Sequence, residues 1–333
     1  MPAKLSPVAS KDDVRARGDR RRALLVFALL IFIWGVNWPF MKMLLTMFPP
    51  LWFADIRMAL GAITIFIILA AKGRIPLPPR QDLPVMATIT VLQMAGFIGL
   101  ISLGLHIVPA GRSAILSYTM PLWVTPAAAL LLSERLTMVR ALGLALGMGG
   151  VVVMFNPLDF NWHSRDALMG NACLLAAAIS WAITILHVRA HRWKSTPLIL
   201  APWQLAVAFL ILLGPAYWVE GPFVWPQPSW ALLGIAFYVG PVITAFPFWA
   251  SVTVARDLPA MTSSFGLLLT PVLGVLSAVV VLHERITWTT TAGLVLILAG
   301  VAAVSFFRPG AKAATAAARP SAAAAPASTP SRD

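Results

Sequence analysis

Charge is what this sequence most lacks. Only 11% of its 333 residues are Asp, Glu, Lys or Arg, against about 25% in a typical soluble domain. Acidic groups are the scarcer sign, 12 against 25 Lys and Arg, and no Asp or Glu falls at the middle of a long apolar run. No carboxylate cluster is therefore at hand for metal-dependent phosphoryl transfer inside a membrane. Cysteine occurs once, at Cys173, which excludes an intramolecular disulfide and a zinc site built on paired cysteines. H-E-x-x-H and G-x-S-x-G motifs are both missing, so neither a metalloprotease helix nor a nucleophile elbow is present. These absences leave no catalytic residue, no metal site and no cofactor to assign, and the chain does not read as an enzyme. The formal charge of +13 could suggest a nucleic-acid partner, but the basic residues sit at the ends of apolar runs and in the tails. They read as topology signals.

Apolar length is what the chain has instead. It is 59% hydrophobic, with a mean hydropathy of +0.83. Runs able to cross a bilayer, about 20 residues each, lie near 23–43, 51–71, 84–105, 110–132, 139–156, 168–188, 198–219, 229–253, 260–282 and 288–307. The fifth is short, and the third and eighth are indistinct at their ends. Residues 1–22 form a basic tail ending in Arg15, Arg17, Arg20, Arg21 and Arg22. The apolar run after it is too long for a signal-peptide core and reads as a retained first helix. Residues 308–333 are rich in Ala, Pro and Ser, a composition expected to be disordered. Lys72, Arg74, Arg80, Arg135, Arg140, Arg189, Arg192, Lys194, Arg256, Arg308 and Lys312 fall on the side of the N-terminal cluster, and the other side carries little beyond Lys42, Arg165 and Arg285. The positive-inside rule then predicts a multi-pass protein of the cell (inner or plasma) membrane with both termini cytoplasmic.

One stretch is spelled twice. Pro109-Ala110, Pro121, Leu132, Glu134-Arg135, Thr137, Gly143 and Gly150 recur at an offset of 150 as Pro259-Ala260, Pro271, Leu282, Glu284-Arg285, Thr287, Gly293 and Gly300. Weaker partners, Trp34 with Trp181 and Arg57 with Gln204, recur at an offset of 147. Five helices per copy is an odd number, so the second copy enters the membrane upside down. The expected fold is all-α, ten transmembrane helices in two inverted five-helix repeats, 23–156 and 157–307, an arrangement associated with alternating-access transporters.

With Trp34-Gly35-Val36-Asn37-Trp38-Pro39-Phe40 in the first helix and the two Pro…Glu-Arg helices followed by Gly-rich helices, the chain resembles the drug/metabolite transporter superfamily, specifically its EamA-type permeases, over residues 23–307. That resemblance implies a ten-helix fold around a central substrate cavity, often serving export of amino acids or other metabolites. The function expected is secondary transport of small metabolites, amino acids or apolar and amphiphilic compounds, by alternating access. A channel or facilitative uniporter is the alternative, and a membrane enzyme a more distant one.

The candidate substrate-binding residues are Trp34, Asn37, Trp38, Arg57, Gln93, Tyr118, Trp181 and Gln204. Arg57 stands about two turns into the second helix, where an ionisable group is costly and functional by default; it could hold a substrate carboxylate or snorkel outward. Asn37 and Gln93 are amides at membrane depth. Trp34, Trp38, Trp123, Trp181, Trp203 and Trp249 suit aromatic cavity walls, although tryptophan also serves packing and interfaces. Pro121 and Pro271 kink matched helices and are the candidate gating positions, with fixed curvature as the alternative. Hydroxyls of Tyr118, Thr119, Thr125, Ser263, Ser264 and Thr270 flank the kinks, more suited to capping freed carbonyls than to substrate. Glu134-Arg135 and Glu284-Arg285 read as interface anchors. Gly143, Gly147, Gly150, Gly293 and Gly300 read as close-packing sites within the protein or at a dimer contact. His187 and His191 have the i, i+4 spacing of a metal pair, opposed by neighbouring Arg189, Arg192 and Lys194. Proton coupling is open: Asp55 is the candidate carboxyl, with Arg57 setting its charge. Substrate identity and oligomeric state are not encoded in any motif.

Overall fold

A computed structural model describes residues 11–73, 75, 77–131, 137–155, 164–192, 194–258 and 266–306. The described residues form helices and no strand. A lipid-exposed backbone must satisfy its own N–H and C=O groups, and a run of apolar residues does so as a helix. Seven helices are long and apolar enough to span a membrane, and three shorter apolar helices complete ten. They are α1 (Lys11–Leu44), α2 (Pro50–Ala71), α3 (83–107), α4 (Ala110–Leu131), α5 (Met138–Phe155), α6 (Arg165–Ala190), α7 (Pro197–Glu220), α8 (230–257), α9 (Leu269–Leu282) and α10 (Trp288–Phe306). Helix α1 starts at Lys11, so the arginines of the basic N-terminal segment are carried on the same helix as the first span. Glu134, Arg135, Pro259, Ala260, Ser263, Ser264 and the 308–333 tail lie outside the described residues.

The two halves share their irregularities. Helix α3 is π-helical over Ile89–Phe97, and its counterpart α8 is π-helical over Tyr238–Ala245. Both segments lie within the third and eighth spans and not at the ends that the sequence left indistinct. In α8 the π-segment contains Pro241, which carries no N–H to give to an α-helical ladder. Helix α4 is interrupted by a turn at Tyr118 and Thr119, three residues before Pro121; a turn at Leu268 stands three residues before Pro271. The proline ring clashes with the carbonyl four residues back and offers it no N–H, which places each break in the turn just before the proline.

Packing follows the same symmetry. Helix α2 lies against α7, α4 against α9 and α5 against α10; α1 packs on α8 and α9, as α6 packs on α3 and α4. At the α5–α10 contact the repeated glycines permit backbone approach. A Cβ on Gly300 would lie 2.5 Å from the Gly147 nitrogen and the Gly143 carbonyl oxygen, and one on Gly150 would lie 2.8 Å from the Ile297 nitrogen. The small-residue stripe therefore faces inward, where dispersion contacts hold helices together in lipid.

Two faces of the bundle differ in charge. The basic face carries Arg22, Lys72, Arg80, Arg192 and Lys194; the far face carries Lys42, Arg165, Glu220, Glu284 and Arg285. Carboxylates tie the halves together at both. On the basic face Asp82 accepts from Ser195 Oγ (2.6 Å) and from the backbone N–H groups of Ser195 (2.9 Å) and Lys194 (3.2 Å), with His191 Nε2 3.0 Å away. On the far face Glu220 accepts from the Leu51 and Trp52 N–H groups at 2.8 and 3.0 Å, at the start of α2.

Candidate functional site

A cavity of about 340 Å³ lies between the halves, within the range of small-ligand sites. Helix α1 contributes Trp34, Asn37, Trp38 and Met41, whose i, i+3, i+4, i+7 spacing places them on one helix face. Arg57 enters from α2, Gln93 and Phe97 from the π-segment of α3, Tyr118 from the break in α4, and Trp181 from α6. Thr244, Pro247, Phe248 and Ser251 come from α8. Helix α9 contributes no described lining residue.

Arg57 is the charged group here and is only 8% exposed. Its Nε donates to Thr244 Oγ1 (3.2 Å), its Nη2 to the Ile243 carbonyl (3.2 Å) and its Nη1 to the Met41 sulfur (3.4 Å). The residue four beyond Ile243 is Pro247, which has no N–H to offer that carbonyl; Arg57 supplies a donor in its place. All three acceptors are neutral. A guanidinium carries five N–H donors, so part of its hydrogen-bonding capacity and all of its charge remain for a ligand. Asp55, two residues earlier, does not pair with it: the carboxyl is 1% exposed and its Oδ1 has no hydrogen-bond partner. The idea that Arg57 sets the charge of Asp55 is thus corrected by geometry, because Arg57 reaches α8.

Around this cation the walls are aromatic with a few amides. Tyr238 donates from its hydroxyl to Asn37 Oδ1 (3.1 Å), and Asn37 Nδ2 donates to the Met41 sulfur (2.8 Å). Gln93 lines the cavity with an amide that has no partner among the described residues. Trp181 packs edge-on against Phe97, ring centroids 4.6 Å apart.

Seven of the eight sequence candidates, Trp34, Asn37, Trp38, Arg57, Gln93, Tyr118 and Trp181, meet in this one cavity. Gln204, the counterpart of Arg57, is buried on α7 one residue before the cavity-lining Leu205 and does not line it. Trp123, Trp203 and Trp249 are also absent from its wall; Trp203 packs edge-on against Phe66. Pro121 and Pro271 adjoin the helix breaks and not the cavity. Thr119 and Thr125 return their hydroxyl protons to the Leu116 and Pro121 carbonyls. His187 Nδ1 lies 2.7 Å from Thr88 Oγ1, and His191 meets Asp82. Sequence reasoning missed Met41, Tyr238 and Thr244. The usable signals were Pro241 and Pro247, which mark an irregular eighth helix with exposed carbonyls.

Glu284 has a more specific place than interface anchor. Its Oε1 accepts from the Ala110 N–H (2.6 Å) and its Oε2 from the Gly111 N–H (3.0 Å), the first unpaired donors of α4. His283 takes a left-handed conformation (φ 54°) at the end of α9, and Glu284 N–H returns to the Ala278 carbonyl, the turn that aims the carboxylate. Beside it Lys42 Nζ donates to the Leu105, His106 and Val108 carbonyls at 2.7, 2.8 and 3.1 Å. Just beneath, α9 presses on α4 and α1: a Cβ on Gly274 would lie 2.7 Å from Ala114 Cβ and 3.2 Å from Trp38 Cδ1. This contact separates the central cavity from a second pocket at the far face that contains Arg112. The guanidinium of Arg112 belongs to that outer pocket and not to the central one.

The model of the EamA-like transporter family matches residues 21–156 and again 168–306. The chain belongs to that family. It is a multi-pass membrane transporter, and the two matches coincide with the two halves of the bundle. Among similar proteins, the uncharacterized transporter YoaV of Bacillus subtilis is 28% identical over 282 residues, 84% of this chain and 95% of its own. Proteins described as probable amino-acid metabolite efflux pumps, from Salmonella typhimurium and Escherichia coli, are each 29% identical over 297 residues, covering 86% of this chain and 94% of theirs. A solved crystal structure shares the fold at a TM-score of 0.57 and 22% identity, over 86% of this chain and 98% of that one.

Proposed function

We propose that this transporter exports small amphiphilic metabolites bearing a carboxylate, amino acids foremost, from the central cavity. The observation that carries the reading is Arg57, a buried cation among neutral acceptors in an aromatic wall, with no acidic partner among the described residues. A desolvated charge without a counter-ion is unfavourable, and a substrate carboxylate relieves it. The aromatic rings around it suit an apolar side chain, and the free Gln93 amide a further polar group. The similarity to proteins described as probable amino-acid metabolite efflux pumps supports the same class.

The basic face is assigned to the cytoplasm by the excess of Lys and Arg there. Transport then proceeds by alternating access between the inverted halves. The arrangement described is closed toward the far face, where Glu284 holds α4 and Gly274 packs on Ala114 and Trp38. The breaks before Pro121 and Pro271 are the bends about which α4 and α9 move. Asp55 is the carboxyl assigned to proton coupling.

The test is counterflow in proteoliposomes with labelled amino acids. Saturable exchange, competed by unlabelled substrate and lost in Arg57→Ala, is the expected result. Flux without saturation would replace the carrier reading with a channel.

A further inference from the structure

The far-face pocket has a volume of about 500 Å³ and shares no lining residue with the central cavity. It is walled by the ends of α3, α5 and α9 and the starts of α4, α6 and α10. Both signs of charge meet there: Arg112 and Arg285 on one hand, Asp166 and Glu284 on the other. Glu284 is occupied by the α4 N–H groups. Arg285 and Asp166 are exposed, and neither has a partner among the described residues. The telling group is Asn171, on α6 beyond Asp166. It lines the pocket, is only 2% exposed, and spends its Nδ2 on the Ala167 carbonyl at 2.7 Å. Its Oδ1 has no donor. A buried acceptor left unpaired bears a full desolvation penalty, so this site is built for an incoming N–H.

We propose that the far-face pocket is a second binding site for a zwitterion, in which Asn171 Oδ1 and Asp166 take an ammonium group and Arg285 a carboxylate. The mixed charge argues against a simple anion, repelled by Asp166, and against a simple cation, repelled by Arg285. Lying outside the Glu284 contact, the site would receive substrate released from the central cavity. This inference rests on the reading of the substrate as amino-acid-like.

The experiment is equilibrium binding of tritiated L-phenylalanine to the full chain in nanodiscs, with 3-phenylpropanoate and 2-phenylethylamine as competitors lacking one charge each. Two sites per chain are expected. Arg57→Ala should leave one site and Asn171→Leu the other. Asn171→Asp, which keeps an acceptor, should retain both, and Asp166→Asn should weaken the second about tenfold or more. Each single-charge competitor should displace label poorly from the Asn171-dependent site. A single site abolished by Arg57→Ala and indifferent to Asn171→Leu overturns the far-face site and leaves the central one standing. A single site with the opposite sensitivities overturns the role of Arg57 instead. No binding at all overturns both. The Asn171→Asp result guards against a folding defect in Asn171→Leu.

Discussion

If Glu284 is the far-face latch, Glu284→Gln should open that face. The carboxylate accepts two N–H bonds at 2.6 and 3.0 Å from the first turn of α4. Hydrogen bonds to a charged group contribute about 1.5–3 kcal/mol each, and the helix dipole adds roughly 0.3–1 kcal/mol. Glutamine keeps the shape and one acceptor, but its amide sets a donor against the second N–H. The expected loss is therefore about 2–4 kcal/mol of far-face closure, or about 30- to 700-fold in the closed-to-open ratio. The assay is the reaction of a cysteine at Ile101→Cys, in a Cys173→Ala background, with a membrane-impermeant maleimide added from the far side. Ile101 lines the central cavity and is buried, so it reacts only after the far face opens. The variant should label at least tenfold faster. An unchanged rate in a folded Glu284→Gln protein would refute the argument, because the Glu284–α4 contact would then persist in both states as a static cap.

Other expectations follow from the same geometry. Arg57→Lys should lower transport by tenfold or more in proteoliposome flux, since a lysine ammonium cannot span Thr244, Ile243 and a substrate at once. Gly300→Ala should destabilise the α5–α10 contact by about 1–3 kcal/mol through overpacking, seen as a lowered Tm in detergent; Gly149→Ala and Gly214→Ala, with nothing within 4 Å of the added Cβ, should leave Tm unchanged. Asp55→Asn should spare folding, because the carboxyl has no partner among the described residues to lose. If Asp55 carries the coupled proton, the same variant abolishes flux driven by a pH gradient while retaining exchange at equal pH; gradient-driven flux at the wild-type rate would remove Asp55 from the mechanism.

Much of this architecture was legible from residue order. The face Trp34, Asn37, Trp38 could be read because neighbours on one helix are fixed by its period. The partners of Arg57 could not, since the Ile243 carbonyl stands 186 residues away and only its proline-marked helix hinted at a free acceptor. The repeat holds a deeper lesson. Pro109-Ala110 and Glu134 recur together as Pro259-Ala260 and Glu284, and each Glu could be taken for a local anchor. In the folded chain the Glu284 of the second copy caps the Ala110 of the first, across 174 residues. The glutamate and the Pro-Ala helix start are thus two ends of a contact made between copies. A pattern repeated within an inverted duplication therefore has two readings, an intra-copy feature or half of an inter-copy contact. The second is the one that the proposed alternating access would open and close. The reciprocal partners, Glu134 and Pro259-Ala260, lie outside the described residues, so the far-face contact is the one on which the Glu284→Gln experiment must be decided.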